Sequence, residues 1–406
     1  MIRNALRVAG AVLAGLAVLF LAAMAISPYF RRWALLNGPD VYDYDKLPAR
    51  TVSRSAQPFR FPDSTPGDWV APLKLAYARQ PIGDETALGR FLAEHGSTAF
   101  IAIQDGRLLD ERYFNGFRRD SLFKSFSVTK VFVSALIGAA MADGFIDGVD
   151  DPVTKYIPEM QDPRFARVTL RHLLDNTAGI RYARGNMPWV SQPRMYYTAD
   201  VRGYVRGAEI DVDPGVRFST EDLSPIILGW VLERALRRHP STPTLSGYLT
   251  ERLWQPMGAE YDALWIVDRE SGGLEKGESG LTARAIDLAK FAQLYLQQGL
   301  WNTRQLIPPQ WVSESTSVDS DPRGPNVWDS GFFKHQWWGR KTPAPAQSDF
   351  YANGHFGQRL YVSPRHRLIL VRMGDNNRGV DWADFLGAVA DAFPLDAETP
   401  KPENSR

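Results

Sequence analysis

The run Val8–Ile26 contains only apolar and small residues, with Arg3 and Arg7 before it and Arg31 and Arg32 after it. A helix with no polar face has few places to hide in a water-soluble core. At about 1.5 Å per residue the run is just long enough to cross a bilayer. Two readings fit. One is a cleaved signal peptide, for which Ala23-Met24-Ala25 offers a small-x-small cleavage site. The other is an uncleaved single-span anchor, favoured by the length of the run and by the arginines close behind it. Arginines at both ends leave the orientation poorly set. Residues 1–36 are thus expected to be a membrane anchor or signal segment, with the bilayer as a partner.

The chain has 406 residues, enough for one large domain or two intimate ones. It has no cysteine, which excludes disulfides, thiolate metal sites and a cysteine nucleophile. Its six histidines (His95, His172, His239, His335, His355 and His366) have no zinc-type spacing, so no metal is expected. A formal net charge of +1 gives no electrostatic basis for nucleic-acid binding.

Asn37–Asp84 is irregular and rich in proline, aromatics and charge, as expected of a tether plus an extended segment wrapping the main domain. Glu85–His95 reads as a helix. Thr98–Ile103 and Arg107–Phe114 alternate apolar and polar residues around Asp105-Gly106, the signal of a hairpin with a type I′ turn. From Asp147 to about Leu300 the pattern is mostly helical with long loops. A short helix runs through Val168–Leu174 and stops at Asn176–Gly179, and further helices span Ile226–Arg237 and Ala283–Gln298. Strands are expected at His335–Trp338, Phe350–Ala352, Gln358–Ser363 and Leu368–Met373, with a turn at Ser363–His366. Ala383–Phe393 closes the domain as a helix, before a polar tail. Strands at both ends with helices between predict an α+β fold. One antiparallel β-sheet, flanked by helices, carries an inserted helical subdomain at about 145–300. The domain spans 37–395, and 396–406 is expected to be disordered.

Ser127-Val128-Thr129-Lys130 holds a serine and a lysine one helical turn apart, ahead of the apolar run Val131–Met141. A lysine amine so placed can take the serine proton, and a helix N-terminus offers N–H groups to a carbonyl oxygen. A serine beside an ordinary surface lysine fits the same spacing, so the motif alone does not decide.

Four further stretches occur in order: Val168–Ile180 (VTLRHLLDNTAGI), Pro214–Phe218 followed by Leu228-Gly229, Gly280–Phe291, and Gly354–Gln358 followed by Tyr361–Pro364. With Ser127–Lys130, this series resembles the serine hydrolases of the β-lactamase and penicillin-binding-protein superfamily. It is most similar to the class C-like esterases and the nylon-oligomer (aminohexanoate-dimer) hydrolases, over roughly Asn37 to Phe393. The resemblance implies a β-lactamase/transpeptidase-like fold, an ester or amide substrate and no cofactor. It implies Ser127 as nucleophile, Lys130 as base, and an oxyanion hole of the Ser127 N–H and a third-motif N–H at His355, with Gly354 and Gly357 beside it. The His355 side chain is read as lining the pocket. A single-pass protein of the bacterial inner membrane, with its domain outside the cytoplasm, fits the family habit.

The second motif departs from the family. Members place a tyrosine two residues after the equivalent of Phe218 and often an asparagine two further on; here those positions hold Thr220 and Asp222. Thr220 is the candidate for the missing hydroxyl, with Tyr196 and Tyr197 as alternatives, and Asp222 is a candidate substrate-binding residue. The departure keeps two rivals open: a catalytically silent binding protein, and a penicillin-binding or D-peptidase-type enzyme, for which Arg359 lies near the third motif. Lys341-Thr342-Pro343 lacks the glycine of a lysine-threonine-glycine motif and is rejected. Trp337-Trp338 can line a cleft or pack a strand.

Overall fold

The computed structural model describes residues 2–36, 38–64, 75–77, 80–238, 243–317, 324–342 and 347–393. The tail expected at 396–406 lies outside them. Two helices lead, α1 (Ile2–Ile26) and α2 (Pro28–Leu36). Strands β1 (Ala49–Val52), β2 (Leu75–Tyr77) and β3 (Gln80–Ile82) precede helix α3 (Glu85–Glu94) and the hairpin of β4 (Ser97–Gln104) and β5 (Arg107–Tyr113). Strand β6 (Phe123–Lys124) feeds a 3-10 turn, Phe126–Val128, and then α4 (Thr129–Ala142). The middle holds α5 (Leu170–Leu174), α6 (Ser191–Tyr197), α7 (Val201–Arg206), α8 (Leu223–Ala235) and α9 (Leu245–Leu249), followed by β7 (Ala263–Ile266), β8 (Leu281–Ala283) and α10 (Ala285–Leu296). Next come β9 (Leu300–Trp301), β10 (Arg304–Gln305), α11 (Pro309–Thr316), β11 (Val327–Trp328), β12 (Gly331–Lys334) and β13 (Trp337–Arg340). The chain ends in β14 (Asp349–Gly354), β15 (Gln358–Ser363), β16 (Leu368–Gly374) and α12 (Trp382–Asp391).

Both ends of the domain build one eight-stranded antiparallel sheet, ordered β11-β12-β13-β14-β15-β16-β4-β5. Its β4–β5 hairpin turns on Asp105 (φ 53°) and Gly106 (φ 73°), the paired positive dihedrals of a type I′ turn. Successive residues of β4 point to opposite faces. Ala99, Ile101 and Ile103 join the core beneath α10, while Phe100 and Ala102 join a second core with α3 and α12. Each fully buried Leu, Ile or Phe there contributes about 1.5–3 kcal/mol. The apolar α4 is buried from Val131 to Ala140 and packs against α8, with Phe132 stacked on Phe291 of α10 at 3.8 Å.

Three expectations need correction. The middle is not only helical: β1, β7, β8 and β6 form a second, four-stranded sheet, in which Ala49–Val52 of the expected tether pairs with β7. Leu281–Ala283 belongs to that sheet, so the helix expected from Ala283 starts at Ala285. His335-Gln336 is not strand but a turn between β12 and β13, at φ 44° and 71°. Tertiary bonds impose it: the His335 N–H donates to Asp175 Oδ1 (2.9 Å), and Gln336 Nε2 donates to Leu173 O and Asn176 Oδ1 (both 2.9 Å).

Candidate active site

Ser127 lies in the 3-10 turn that enters α4, and this turn is pinned from two sides. On one side β8 holds it. Ser125 N–H and Oγ both donate to Leu281 O (3.0 and 2.7 Å), and Thr129 Oγ1 accepts from Leu281 N–H (3.0 Å). On the other side the end of β14 abuts it. A Cβ on Gly354 would stand 2.6 Å from Ser125 O, so only glycine permits this approach. Between them Phe126 adopts φ 48°, a left-handed conformation that costs a bulky residue about 1–3 kcal/mol. Its ring packs edge-on against His355 (5.6 Å) and Phe356 (5.4 Å). The strained residue immediately precedes Ser127 and aims it into a cleft of about 1140 Å³, lined also by Lys130, Thr220, Asp222, Gly354 and His355.

Lys130 Nζ donates to Asp222 Oδ1 at 2.6 Å, and the Tyr182 hydroxyl donates to Asp222 Oδ2 at 2.8 Å. Burial opposes the charge of Asp222. The Lys130 charge and the hydrogen bonds from Lys130 and Tyr182 outweigh it and hold the carboxyl below its ordinary range. Burial and the neighbouring carboxylate push the Tyr182 phenol far above its usual value, so it is a donor. Adjacent Glu221 behaves oppositely. Burial raises it, and its carboxyl accepts from the Leu223 and Ser224 N–H groups at the start of α8. Asn176 steadies this segment by accepting from Ser219 N–H (2.9 Å) and donating to Glu221 O (3.4 Å).

Most of the expected residues meet at the cleft, and a few do not. Ser127, Lys130, Asp222, Gly354 and His355 converge on the cleft. Thr220 lines the cleft too, but its hydroxyl accepts from Arg184 Nη2 (2.9 Å), and the partner of Lys130 is Asp222. Tyr196 and Tyr197 line the cleft as well, and the Tyr196 hydroxyl donates to Asp43 Oδ2 (2.5 Å). Gly357 does not line the cleft. It sits at φ 78° where a Cβ would meet Arg372 Nη1 at 2.4 Å. Trp338 lines the cleft and Trp337 packs in the core against Tyr295 (4.7 Å). Burial lowers the basicity of His355 despite the opposing pull of Asp222, which favours a neutral ring.

Sequence reasoning missed three contributors. Tyr182 and Arg184 belong to the loop after α5, forty residues or so from their partners, and no local pattern marks them. Arg372, wholly buried on β16 and stacked on Trp382 (4.0 Å), donates to Phe356 O (2.5 Å), His95 O (3.0 Å) and Asn376 O (2.9 Å). It thereby holds the turn that carries His355. A charged residue inside an otherwise apolar strand was the available signal. Among the described residues no cluster of three or more His, Asp or Glu side chains is set to hold a metal ion.

The family model described as Beta-lactamase matches residues 88–384. The 6-aminohexanoate-dimer hydrolase of Paenarthrobacter ureafaciens is 25% identical over 359 residues, 84% of each chain. Esterase EstB of Burkholderia gladioli is 28% identical over 184 residues, 43% of this chain and 42% of that one. Among solved structures, a candidate 6-aminohexanoate-dimer hydrolase from Bacillus anthracis superposes with a TM-score of 0.73 at 24% identity, covering 89% of this chain and 92% of the other. That likeness establishes the fold.

Proposed function

The chain belongs to the beta-lactamase family, and from that premise we propose that it is a serine hydrolase that cleaves an ester or linear amide through an acyl-enzyme on Ser127. The observation that carries the proposal is the convergence of Ser127 and Lys130 in one cleft, with Lys130 bonded to Asp222. Ser127 Oγ attacks the carbonyl carbon. Lys130 takes the serine proton, and the Asp222 carboxylate stabilises the ammonium that results. The N–H groups of Ser127 and His355 hold the oxyanion. The proton returns through Lys130 to the leaving alcohol or amine as the carbonyl re-forms. Water then attacks the acyl-enzyme by the same relay, releasing the acid and restoring Ser127. Asp222, anchored by Tyr182, replaces the hydroxyl bridge of the second motif. An esterase and an aminohexanoate-dimer hydrolase among the relatives support both bond classes. The exposed apolar α1 supports a membrane-anchored enzyme.

The test is intact-mass analysis after a fluorophosphonate and after an activated ester. One adduct is expected on the wild-type chain and none on Ser127→Ala. Equal labelling or equal turnover by the two proteins rejects the reading.

Arg359 favours a second reading, a substrate that carries a carboxylate. Its guanidinium is buried at the cleft, where burial lowers its pKa to about 10, and its hydrogen bonds run to Asn353 Oδ1 (2.6 Å) and backbone carbonyls. Slow, saturable acylation of Ser127 by benzylpenicillin would support this reading, and no mass adduct would dismiss it.

A further inference from the structure

The cleft that holds Ser127 is walled on one side by the chain's own N-terminal helices: Phe20 of α1 and Trp33 and Ala34 of α2 line the same cavity as Ser127 and Lys130. The chain turns a corner between these helices at Ser27-Pro28. Phe20 and Phe30 are ten residues apart, which would separate them by about 15 Å along a straight helix, yet their ring centroids lie 5.3 Å apart. Helix α2 is fastened to the domain beside the cleft. Tyr29 OH donates to Pro188 O (2.5 Å), Trp33 Nε1 to Asn186 O (3.0 Å), and Arg32 Nη1 to Asp268 O (2.8 Å). Helix α1 has no such fastening: none of its most apolar stretch is buried. The cleft mouth therefore lies beside the one helix among the described residues that is long and apolar enough to span a membrane, since Phe20 of that helix lines it. Phe20 lies six residues before the end of α1, about 9 Å along its axis, at a depth that would reach into hydrocarbon. Exposed apolar side chains lie near it among polar ones: Met187, which lines the cleft beside Arg184 and Asn186, is 48% exposed, and Leu35 and Trp189, next in sequence to Ala34 and Pro188, are 66% and 68% exposed. Tyr29 and Trp33 sit just beyond the span, where aromatic residues favour the membrane–water interface.

We propose that the cleft opens onto the bilayer surface, and that its substrate is a membrane-resident amphiphile whose ester or amide carbonyl reaches Ser127 while its acyl chain leaves past Phe20 and Trp33 into the lipid. The substrate half of this proposal rests on the serine-hydrolase reading above; the orientation half does not. The chain has no cysteine, so single reporters can be placed cleanly. The full-length protein is reconstituted in 3:1 phosphatidylcholine/phosphatidylglycerol vesicles, carrying an environment-sensitive nitrobenzoxadiazole on Trp189→Cys, Leu35→Cys or Arg107→Cys. Arg107 is the control, because the β4–β5 turn lies at the opposite end of the sheet strands from Gly354 and Gln358. At positions 189 and 35 the emission should shift to the blue and be quenched at least about twofold by lipids brominated in the upper acyl chain, as for groups 5–10 Å into the interface. At 107 it should stay water-like. Water-like emission at 189 and 35, or quenching at 107 instead, overturns the orientation. p-Nitrophenyl palmitate dissolved in the vesicles should be hydrolysed about tenfold or more faster than p-nitrophenyl acetate at equal concentration, a gain that two buried methylenes suffice to give. Equal rates overturn the substrate class. Absence of both turnover and Ser127 labelling rejects the serine-hydrolase reading and with it the substrate class, while the fluorescence still decides the orientation.

Discussion

In the proposed mechanism Asp222 carries the chemistry that distinguishes this chain, because both of its oxygens are committed, one to Lys130 and one to Tyr182. Asp222→Asn should leave the fold intact and lower kcat for p-nitrophenyl acetate by about 10²- to 10⁴-fold, the usual range for a lost acid–base group. The folded pKa of Asp222 is depressed, so its ionised form is complete at neutral pH and is lost only as pH falls through that depressed value. The acid limb of kcat/KM should accordingly lie below the ordinary carboxylate range. It should move upward in Tyr182→Phe, which removes a hydrogen bond that favours the charged form; an unmoved limb would disprove the anchoring role. Lys124, buried behind the turn that carries Ser127, titrates the other way. Burial lowers its pKa from 10.5 to about 8, so between those values the unfolded chain binds the extra proton. The wild type should therefore gain stability relative to Lys124→Met as pH rises from about 8 to 10, read as a growing Tm difference in its favour. At this scale the serine and lysine were legible because their spacing is local. Thr220 was chosen by counting along the chain, whereas Arg184 and Tyr182, reaching in from a distant loop, decide which side chain meets Lys130.

The turn that carries Ser127 is an arrangement of elements, with β8 behind it, β14 beside it and α4 leading away. Gly354→Ala should therefore injure activity more than stability. The added methyl, 2.6 Å from Ser125 O, must push β14 off the turn and, on the proposed mechanism, displace the His355 N–H from the oxyanion. A loss of at least about tenfold in kcat with KM little changed is expected, since the contact serves the transition state. At α5, Thr169 accepts from His172 N–H, and the His172 ring accepts from Thr169 N–H, a reciprocal cap. Thr169→Ala should cost about 1 kcal/mol in denaturant unfolding. Elements with strong local signals were readable: the Asp105-Gly106 hairpin, strand Gln358–Ser363 and the amphipathic α10. The second sheet was not. Its strands are two to four residues long and take partners far away in sequence, so periodicity cannot reveal them. The His335-Gln336 turn escaped for a related reason, being fixed by bonds to the loop after α5.

Over the whole molecule, the ordered series of segments gave the family and the sheet built from both chain ends, but not the place of the N-terminal helices, which depends on how α2 bonds to distant carbonyls. If α1 is retained as an anchor, the protein expressed from its own signals in a bacterium should remain in the membrane pellet after an alkaline carbonate wash, with residues 1–25 found in its intact mass. The corner at Ser27-Pro28 gives processing a defined consequence. Ala23-Met24-Ala25 lies just upstream of it, while Tyr29, Arg32 and Trp33, which fasten α2, lie downstream. A cut after Ala25 would yield a shed form that keeps Trp33 in its cleft wall and loses Phe20. One gene would then furnish two catalysts with the same nucleophile and different front doors, one fed laterally from lipid and one open to whatever the surrounding fluid carries.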